Sequence, residues 1–402
     1  MKPISQAAKA IAPSATLAIS NMAKQMRADG IDVINFGAGE PDFDTPEYIK
    51  SAAVKALRRG DTKYTPAAGT QQLRSSICSW LKRKLGMDYT PSQVVVTSGA
   101  KHAIYIALQT ILNPGDEVIL PAPYWVTYEE AIKMCGGIPV ILNTREEDGF
   151  KLSAWQLEAA ITERTKCFIL TNPSNPTGVF YDREELEVLS EILVRNDIYV
   201  MSDEIYCSLV YEGQYVSIAT LGDDIRERTI LINGVSKEFS MTGWRIGFAA
   251  ANPEISKAMS NYLSHSTGSP CTISQAAAAE AYADDLMETQ EMKDAFDKRR
   301  RYFMERIENI PGVSCVRPRG AFYVFMNVKS AFGTVIEGQE IRSSSDFASA
   351  LLKYGLVAVV PGEAFGCDGY VRWSYATGME NIRKGLDRLE CFLRRLHSAD
   401  VA

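Results

Sequence analysis

Lys237 lies in the run Asn233-Gly-Val-Ser236-Lys237-Glu-Phe-Ser-Met-Thr-Gly-Trp244-Arg245-Ile-Gly247, just after an apolar stretch and among small residues. An amine beside apolar and aromatic neighbours loses hydration that its cation needs, so its pKa falls and it can act as a nucleophile near neutral pH. Any single lysine is more commonly a solvated surface group, but here the neighbours argue otherwise. Ser236 precedes it and Arg245 follows, a hydroxyl and a guanidinium suited to holding a phosphate.

Other runs offer complementary chemistry. Asn172-Pro-Ser-Asn175-Pro-Thr-Gly178 follows an apolar run ending at Leu170 or Thr171. Two Asn and two Pro fix a rigid loop at a strand's carboxyl end, the ligand side of an open α/β sheet, although a tight polar turn has the same composition. Met201-Ser-Asp203-Glu204-Ile-Tyr206 sets two carboxylates at the end of another apolar run, where Asp203 either serves chemistry or caps a following helix. Thr97-Ser-Gly99-Ala100-Lys101-His102 leads from an apolar run into a helical pattern, whose first free amides would cradle an anion. Gly37-Ala-Gly39 is a poor dinucleotide fingerprint, since Asp42 stands where a third glycine is needed.

These residues need a frame. From about residue 93, short apolar runs alternate with helical patterns, the βαβ signature of a sheet covered on both faces. The runs Val94 to Val96, Val118 to Leu120, Ile138 to Leu142, Cys167 to Leu170, Ile198 to Met201, Ile230 to Ile232 and Ile246 to Ala250 predict seven strands. Asp182 and Glu185 form a capping box before Leu186, Leu189 and Leu193, which share one helical face. After about 294 the rhythm changes to a long charged helix, then Ala321 to Val328, a helix near Ser344 to Tyr354, Val357 to Val360 and Val371 to Tyr375, predicting a smaller α+β domain. The basic run Lys298 to Arg301 lies between Phe296 and Phe303 and reads as a solvated helix face. No low-complexity linker separates the two parts, so extensive contact and a site at their junction are expected.

At 402 residues, 46% hydrophobic and 23% charged, the chain is long enough for two or three domains of about 150 residues and has an ordinary globular composition. No apolar run approaches the roughly 18 residues of a membrane span. Ser14, Thr16, Ser20 and Asn21 interrupt any signal-peptide core, so a cytoplasmic location is expected. A net charge of −6 with dispersed Lys and Arg gives no reason to expect nucleic acid or an anionic membrane as partner. The 8 Cys never form C-x-x-C and the 3 His are scattered, so no metal site is expected and the cysteines read as reduced thiols. Acid-base work then falls to Lys, Tyr or carboxylates.

Taken together, the motifs resemble the fold-type I aminotransferases that use pyridoxal 5′-phosphate, specifically the aspartate aminotransferase subgroup Ib. The likeness runs from Pro13-Ser-Ala-Thr16 through Gly39-Glu-Pro-Asp-Phe43, Lys63-Tyr64, Pro123-Tyr-Trp125, the loop around Asn175, Asp203 to Tyr206, the run around Lys237, Gly320-Ala-Phe322-Tyr323, Val360-Pro-Gly362 and Val371-Arg372 to Tyr375, nearly the whole chain. It implies an α/β fold with a large cofactor domain, 46–294, built on a seven-stranded mostly parallel sheet, and a small α+β domain formed by both chain ends, 1–45 and 295–402.

Carried over position by position, the resemblance makes Lys237 the Schiff-base lysine and proton shuttle, and Asp203 the partner of the protonated pyridine nitrogen. Tyr206 and Asn175 would bond the ring's 3-oxygen, and Trp125 would stack on its face. The phosphate falls to the Gly99 and Ala100 amides, Ser236, Arg245 and, from a second subunit, Tyr64, which implies a homodimer. Arg372, with Asn175 and the Gly39 backbone, would clamp the substrate α-carboxylate. Lys101 and Thr16 match positions that hold the distal carboxylate, a pair resembling relatives that aminate prephenate to arogenate. The implied substrates are aspartate, glutamate and their 2-oxo acids, with prephenate in addition. A lyase or synthase on the same scaffold, an aromatic or alanine-type aminotransferase, and a non-catalytic ligand sensor are the rival readings. One departure stands out: many relatives carry a second phosphate-binding hydroxyl where this chain has Gly234.

Overall fold

The computed structural model describes residues 2–13, 15–283 and 287–399. Each of the seven apolar runs marks one strand of a single seven-stranded sheet, with Ile198 and Ile246 just before theirs, in the spatial order Val94–Thr97, Gly247–Ala250, Thr229–Gly234, Tyr199–Asp203, Thr165–Thr171, Glu117–Ala122, Ile138–Asn143. Gly247–Ala250 runs antiparallel to both of its neighbours. The remaining pairs are parallel. The runs read as continuously apolar because both faces are covered, and alternate residues go to opposite sides. Val95, Ile169, Met201 and Ile230 pack on one face with helix Ala100–Ile111, while Val94, Val96, Leu231 and Phe248 pack on the other with Trp80 and Tyr282. Helix Arg183–Arg195 begins at the expected capping box, the Asp182 amide donating to Glu185 Oε2 at 2.7 Å.

A second, antiparallel sheet has the order Val360–Pro361, Tyr370–Ser374, Tyr323–Asn327, Ser314–Cys315. Helices Met287–Glu308, Ser344–Gly355 and Met379–Ala399 pack with it through Phe296, Phe303, Phe347, Leu351, Leu386 and Leu389. The chain's beginning joins the same core. Ile34–Asn35 pairs in parallel with Val357–Ala358, and Phe36 lies 4.7 Å from the Trp373 ring, centroid to centroid. Ile205, Tyr206 and Leu209, from just beyond the end of strand Tyr199–Asp203, belong to this core too, so the large sheet's edge and the second sheet are packed together.

The basic run is a solvated face only in part: Lys298 and Arg301 are exposed, while Arg299 and Arg300 are not. Arg300 is 1% exposed in its side chain, donating to Asp297 Oδ1 at 2.6 Å and Glu212 Oε1 at 2.7 Å, and Arg299 forks onto both oxygens of Asp42. Helical spacing accounts for it, since Phe296, Arg300, Phe303 and Ile307 recur on one stripe and that stripe is buried. Among the described residues no helix is long and apolar enough to cross a membrane, no cluster of His, Cys, Asp and Glu could hold a metal, and the eight cysteines are unpaired thiols.

Candidate active site

Strand register gathers the motifs at one edge of the large sheet. Thr171 lies opposite Asp203, Asp203 opposite Ile232, Gly234 opposite Gly247, and Gly247 opposite Thr97, so five strands end or begin in one row with a motif beyond each. A cavity of about 370 Å³ opens beside the row. Thr16, Gly39, Ala100, Lys101, Trp125, Asn175, Asp203, Tyr206, Ser236, Lys237, Arg245 and Arg372 line it, twelve of the fourteen residues that the sequence proposes. Gly99 sits immediately behind Ala100. Tyr64 is elsewhere, on the surface, with a relative exposure of 104%.

Lys237 follows strand Thr229–Gly234 on the short helix Val235–Glu238 and donates from Nζ to the Gly39 carbonyl at 2.5 Å. Burial pushes its pKa down to about 8, helped by the cations Arg372 and Arg245 and opposed by Glu40. The amine is thus uncharged in part of the population near neutral pH. Asp203 is buried at its strand end. Its Oδ2 accepts from the Tyr128 hydroxyl at 2.7 Å and its Oδ1 from the Ile205 amide at 3.2 Å. Burial raises its pKa, and the two hydrogen bonds and the charge of Lys237 work against that rise. The helix-cap alternative fails, because turns rather than a helix follow Asp203.

Gly99, Ala100 and Arg245, proposed for an anion, meet at one strand-to-helix turn. Gly99, at φ 86°, turns the chain into helix Ala100–Ile111, whose first amides have no acceptor within the helix. Arg245 lies over Gly99, where any Cβ would strike its guanidinium, and donates to the Thr242 carbonyl at 2.9 Å and the Ser98 carbonyl at 3.4 Å. Gly247 is required by close approach, since its Cβ would overlap the Ala100 amide nitrogen. Crowding accounts for the departure at Gly234 as well: a Cβ there would stand 2.8 Å from the Ile246 carbonyl oxygen and 2.9 Å from Gly247 Cα.

Arg372, on strand Tyr370–Ser374, is 2% exposed. It donates to Asn175 Oδ1 at 2.9 Å and to the Gly37 carbonyl at 2.7 Å, its Nε finds no partner, and it lies between the rings of Tyr323 and Phe365. Segment 37–39 crosses the cavity, the Gly37 carbonyl accepting from Arg372 and the Gly39 carbonyl from Lys237. Lys101 Nζ stands 4.8 Å from the centroid of the Trp125 ring, and burial together with Arg245 lowers its pKa. Among the described residues none of Lys101, Arg245 and Arg372 pairs with a carboxylate. Arg372 is buried without a counter-charge, which is costly, while Lys101 and Arg245 stand exposed at the same cavity, so together they offer cations to a ligand with several negative charges. A phosphorylated pyridine aldehyde and a carboxylate substrate fit that donor set: an amine of lowered pKa, a buried carboxylate, a helix N-terminus beside Arg245, and a second guanidinium with an unused donor.

Sequence reasoning assigned no role to Tyr128, Tyr323, Gly37 or Glu40, which the structure brings to the same place. Tyr128 follows Trp125 by one helical turn and had no other signal. Tyr323 stands inside a run that resembles the family, and Glu40 accepts from Thr242 Oγ1 at 3.0 Å beside Lys237.

Residues 31–389 match the family described as aminotransferase class I and II. The chain is 47% identical over 387 residues to an aspartate aminotransferase of Bacillus subtilis, covering 96% of this chain and 98% of that protein. It is 46% identical over 385 residues to an aspartate/prephenate aminotransferase of Cereibacter sphaeroides, covering 95% and 96%. Among solved structures, the aspartate aminotransferase of Rhizobium meliloti superposes with a TM-score of 0.95 at 39% identity, covering 98% of this chain and all of that one. The Thermus thermophilus aspartate aminotransferase with maleate superposes at 0.92 and 41% identity, with the same coverage. With a match spanning most of its length and relatives this close over nearly all of it, the chain belongs to the class I and II aminotransferases, enzymes of fold type I that use pyridoxal 5′-phosphate.

Proposed function

We propose that this enzyme transfers the amino group between aspartate or glutamate and the oxo acids 2-oxoglutarate and oxaloacetate, and also aminates prephenate to arogenate. The observation that carries the reading is a pair of cations without carboxylate partners, Arg372 inside the cavity and Lys101 at its mouth, which provide for two carboxylates on one substrate. The names of the Bacillus and Cereibacter relatives support it.

When bound, the cofactor supplies an electron sink for the pair left when the substrate Cα–H bond breaks. The chain's own residues do the rest. Lys237 would hold the resting cofactor and, with Nζ freed when the substrate's amine takes its place, would carry the substrate's α-proton, a task suited to an amine with a pKa of about 8. Asp203 keeps a proton on the ring nitrogen. Tyr206 and Asn175 would bond the ring oxygen, and Trp125 would stack on the ring. The Gly99 and Ala100 amides, Ser236, Arg245 and the partner subunit's Tyr64 hold the phosphate. Arg372, Asn175 and the Gly39 backbone orient the α-carboxylate, while Lys101 and Thr16 take the distal one. The minimum active unit is a homodimer, and the two structural parts divide as 46–294 and 1–45 with 295–402. Eight unpaired thiols fit a reducing cytoplasm.

A donor and acceptor panel tests the substrate assignment. Aspartate with 2-oxoglutarate should give glutamate and oxaloacetate, and prephenate with glutamate should give arogenate. Release of ammonia or carbon dioxide without amino exchange would establish a lyase in its place, and absence of arogenate would leave a plain aspartate aminotransferase. Borohydride reduction followed by peptide mapping should place the cofactor on Lys237; a label on another lysine overturns that role.

A further inference from the structure

Tyr323 touches both halves of the site. It lies at the start of strand Tyr323–Asn327, buried, and its hydroxyl is 2.7 Å from the Tyr206 hydroxyl with the two rings edge to face. Its ring face carries the Arg372 guanidinium, with Cζ 4.5 Å from the centroid, and Phe365 packs near the same cation at 5.1 Å. Room for the hydroxyl depends on a neighbour, because a Cβ on Gly39 would stand 2.8 Å from the Tyr323 oxygen. One side chain therefore supports the cation for the substrate carboxylate and bonds the hydroxyl that faces the cofactor ring.

We propose that Tyr323 is a positioning residue, fixing the direction of the Tyr206 hydroxyl proton and the plane of the Arg372 guanidinium. The inference rests on the reading above, in which Tyr206 donates to the ring oxygen of the cofactor. A phenol has one proton. If Tyr206 spends its proton on the cofactor, the 2.7 Å contact is made with the proton of Tyr323, which donates to the Tyr206 oxygen. Accepting that bond makes Tyr206 a stronger donor, and the Arg372 cation over the ring polarises Tyr323 in the same sense. Phenylalanine at 323 would keep the platform under Arg372 and remove only the proton. The charged groups facing the hydroxyl pair are Arg372 from the second sheet, Asp203 from the end of its strand, and Lys237, whose Nζ lies 6.0 Å from the adjacent Phe322 ring.

The test is a spectrophotometric pH titration of the bound cofactor's visible absorbance in the holoenzyme, for wild type, Tyr323→Phe, Tyr206→Phe and the double variant. Tyr323→Phe should move the midpoint upward by about 0.5 to 1 pH unit, the worth of one hydrogen bond. In the Tyr206→Phe background the same substitution should move it little, because its effect passes through Tyr206. Meanwhile KM for aspartate should stay within about twofold for Tyr323→Phe and rise about tenfold or more for Tyr323→Leu, which loses the aromatic face. A downward shift would make Tyr323 the acceptor and overturn the proposal. Equal shifts in both backgrounds, or none, would overturn it too. If Tyr323→Phe folds poorly, 3-fluorotyrosine in place of Tyr323 strengthens the donor without changing its shape, and the midpoint should then fall. A wild-type protein that binds no pyridoxal 5′-phosphate overturns the cofactor reading and this inference together, whereas a titrating wild type with an unmoved Tyr323→Phe overturns this inference alone.

Discussion

The Tyr128 hydroxyl donates to Asp203 Oδ2 at 2.7 Å while accepting from Thr171 Oγ1 at 2.8 Å, so the carboxylate at the end of one strand is held by a helix residue and a neighbouring strand. Tyr128 and Asp203 are buried, and a hydrogen bond to a charge is worth about 1.5 to 3 kcal/mol. Tyr128→Phe removes a bond that stabilises the ionised form, and burial then raises the Asp203 carboxyl further. If Asp203 must be ionised to hold the ring-nitrogen proton, kcat/KM should fall about tenfold or more near pH 7, and the loss should deepen toward pH 6 and shrink toward pH 8.5. A loss of equal size across the pH profile would show that Tyr128 serves only the fold.

Glu204 follows Asp203 in the chain and points into the protein on the other side. Its Oε1 accepts from Ser202 at 2.9 Å and from Ser217 at 2.5 Å, Oε2 has no partner, and burial together with the charge of Asp203 pushes its pKa up from 4.5 to about 7. Between those values the folded protein keeps a proton that the unfolded chain releases, so stability falls as pH rises from about 4.5 and the loss is complete above about 7. The full loss amounts to about 3 kcal/mol. Glu204→Gln keeps a hydrogen-bonding side chain without the ionisation. Relative to wild type at equal protein concentration, the variant should gain stability as pH rises from about 4.5 to 7 and gain no more above that in denaturant titrations, and a constant difference across that window would contradict the assignment.

Strand positions were legible because a sheet covered on both faces writes each strand as an uninterrupted apolar run, and Val94–Thr97 or Thr229–Gly234 has no other use for such composition. The candidate residues at strand ends were legible for a related reason: Asp203 closes strand Tyr199–Asp203, and Asn175 and Lys237 stand just beyond strands Thr165–Thr171 and Thr229–Gly234. Tyr128 and Tyr323 were not, since each touches the site through contacts that depend on tertiary placement, and neither spacing nor composition marks a buried tyrosine as functional. Arg300 misled in the other direction. Its charge read as solvent exposure, while its stripe, shared with Phe296 and Phe303, had already placed it inside, with Asp297 and Glu212 as counter-charges. The role of Gly247 is visible only once the Ala100 amide is seen against it.

Lys101 begins a helix, where a cation is unfavourable, and has no carboxylate partner among the described residues. Its Nζ sits over Trp125 at the mouth of the cavity. Lys101→Met keeps much of the volume and removes the charge. KM for aspartate and for prephenate should rise about tenfold or more, the worth of a charge-assisted hydrogen bond, while an aromatic monocarboxylic donor such as phenylalanine should be spared. Steady-state kinetics with both substrate types decide it, and equal losses would assign Lys101 to the cofactor or the fold.

Tyr64 is the one proposed cofactor contact that its own chain leaves on the surface, fully exposed, yet its neighbours are fixed: Thr272 Oγ1 donates to the Lys63 carbonyl at 2.9 Å and Gln275 Nε2 to Thr65 Oγ1 at 3.1 Å. A phenol held outward by anchored flanks is placed to reach another subunit. Lys237→Ala should abolish turnover, and Tyr64→Phe should lower it about tenfold through one lost phosphate contact. In a heterodimer of the two variants, a tyrosine acting across the interface leaves one site with both defects and the other with none, whereas a tyrosine acting within its own chain leaves each site with one defect. Random reassociation of equal amounts should therefore restore about a quarter of wild-type activity per chain, since half the dimers are mixed and one of their two sites is intact. Activity of the mixture no higher than the average of the two separate variants would place Tyr64 outside the neighbouring site.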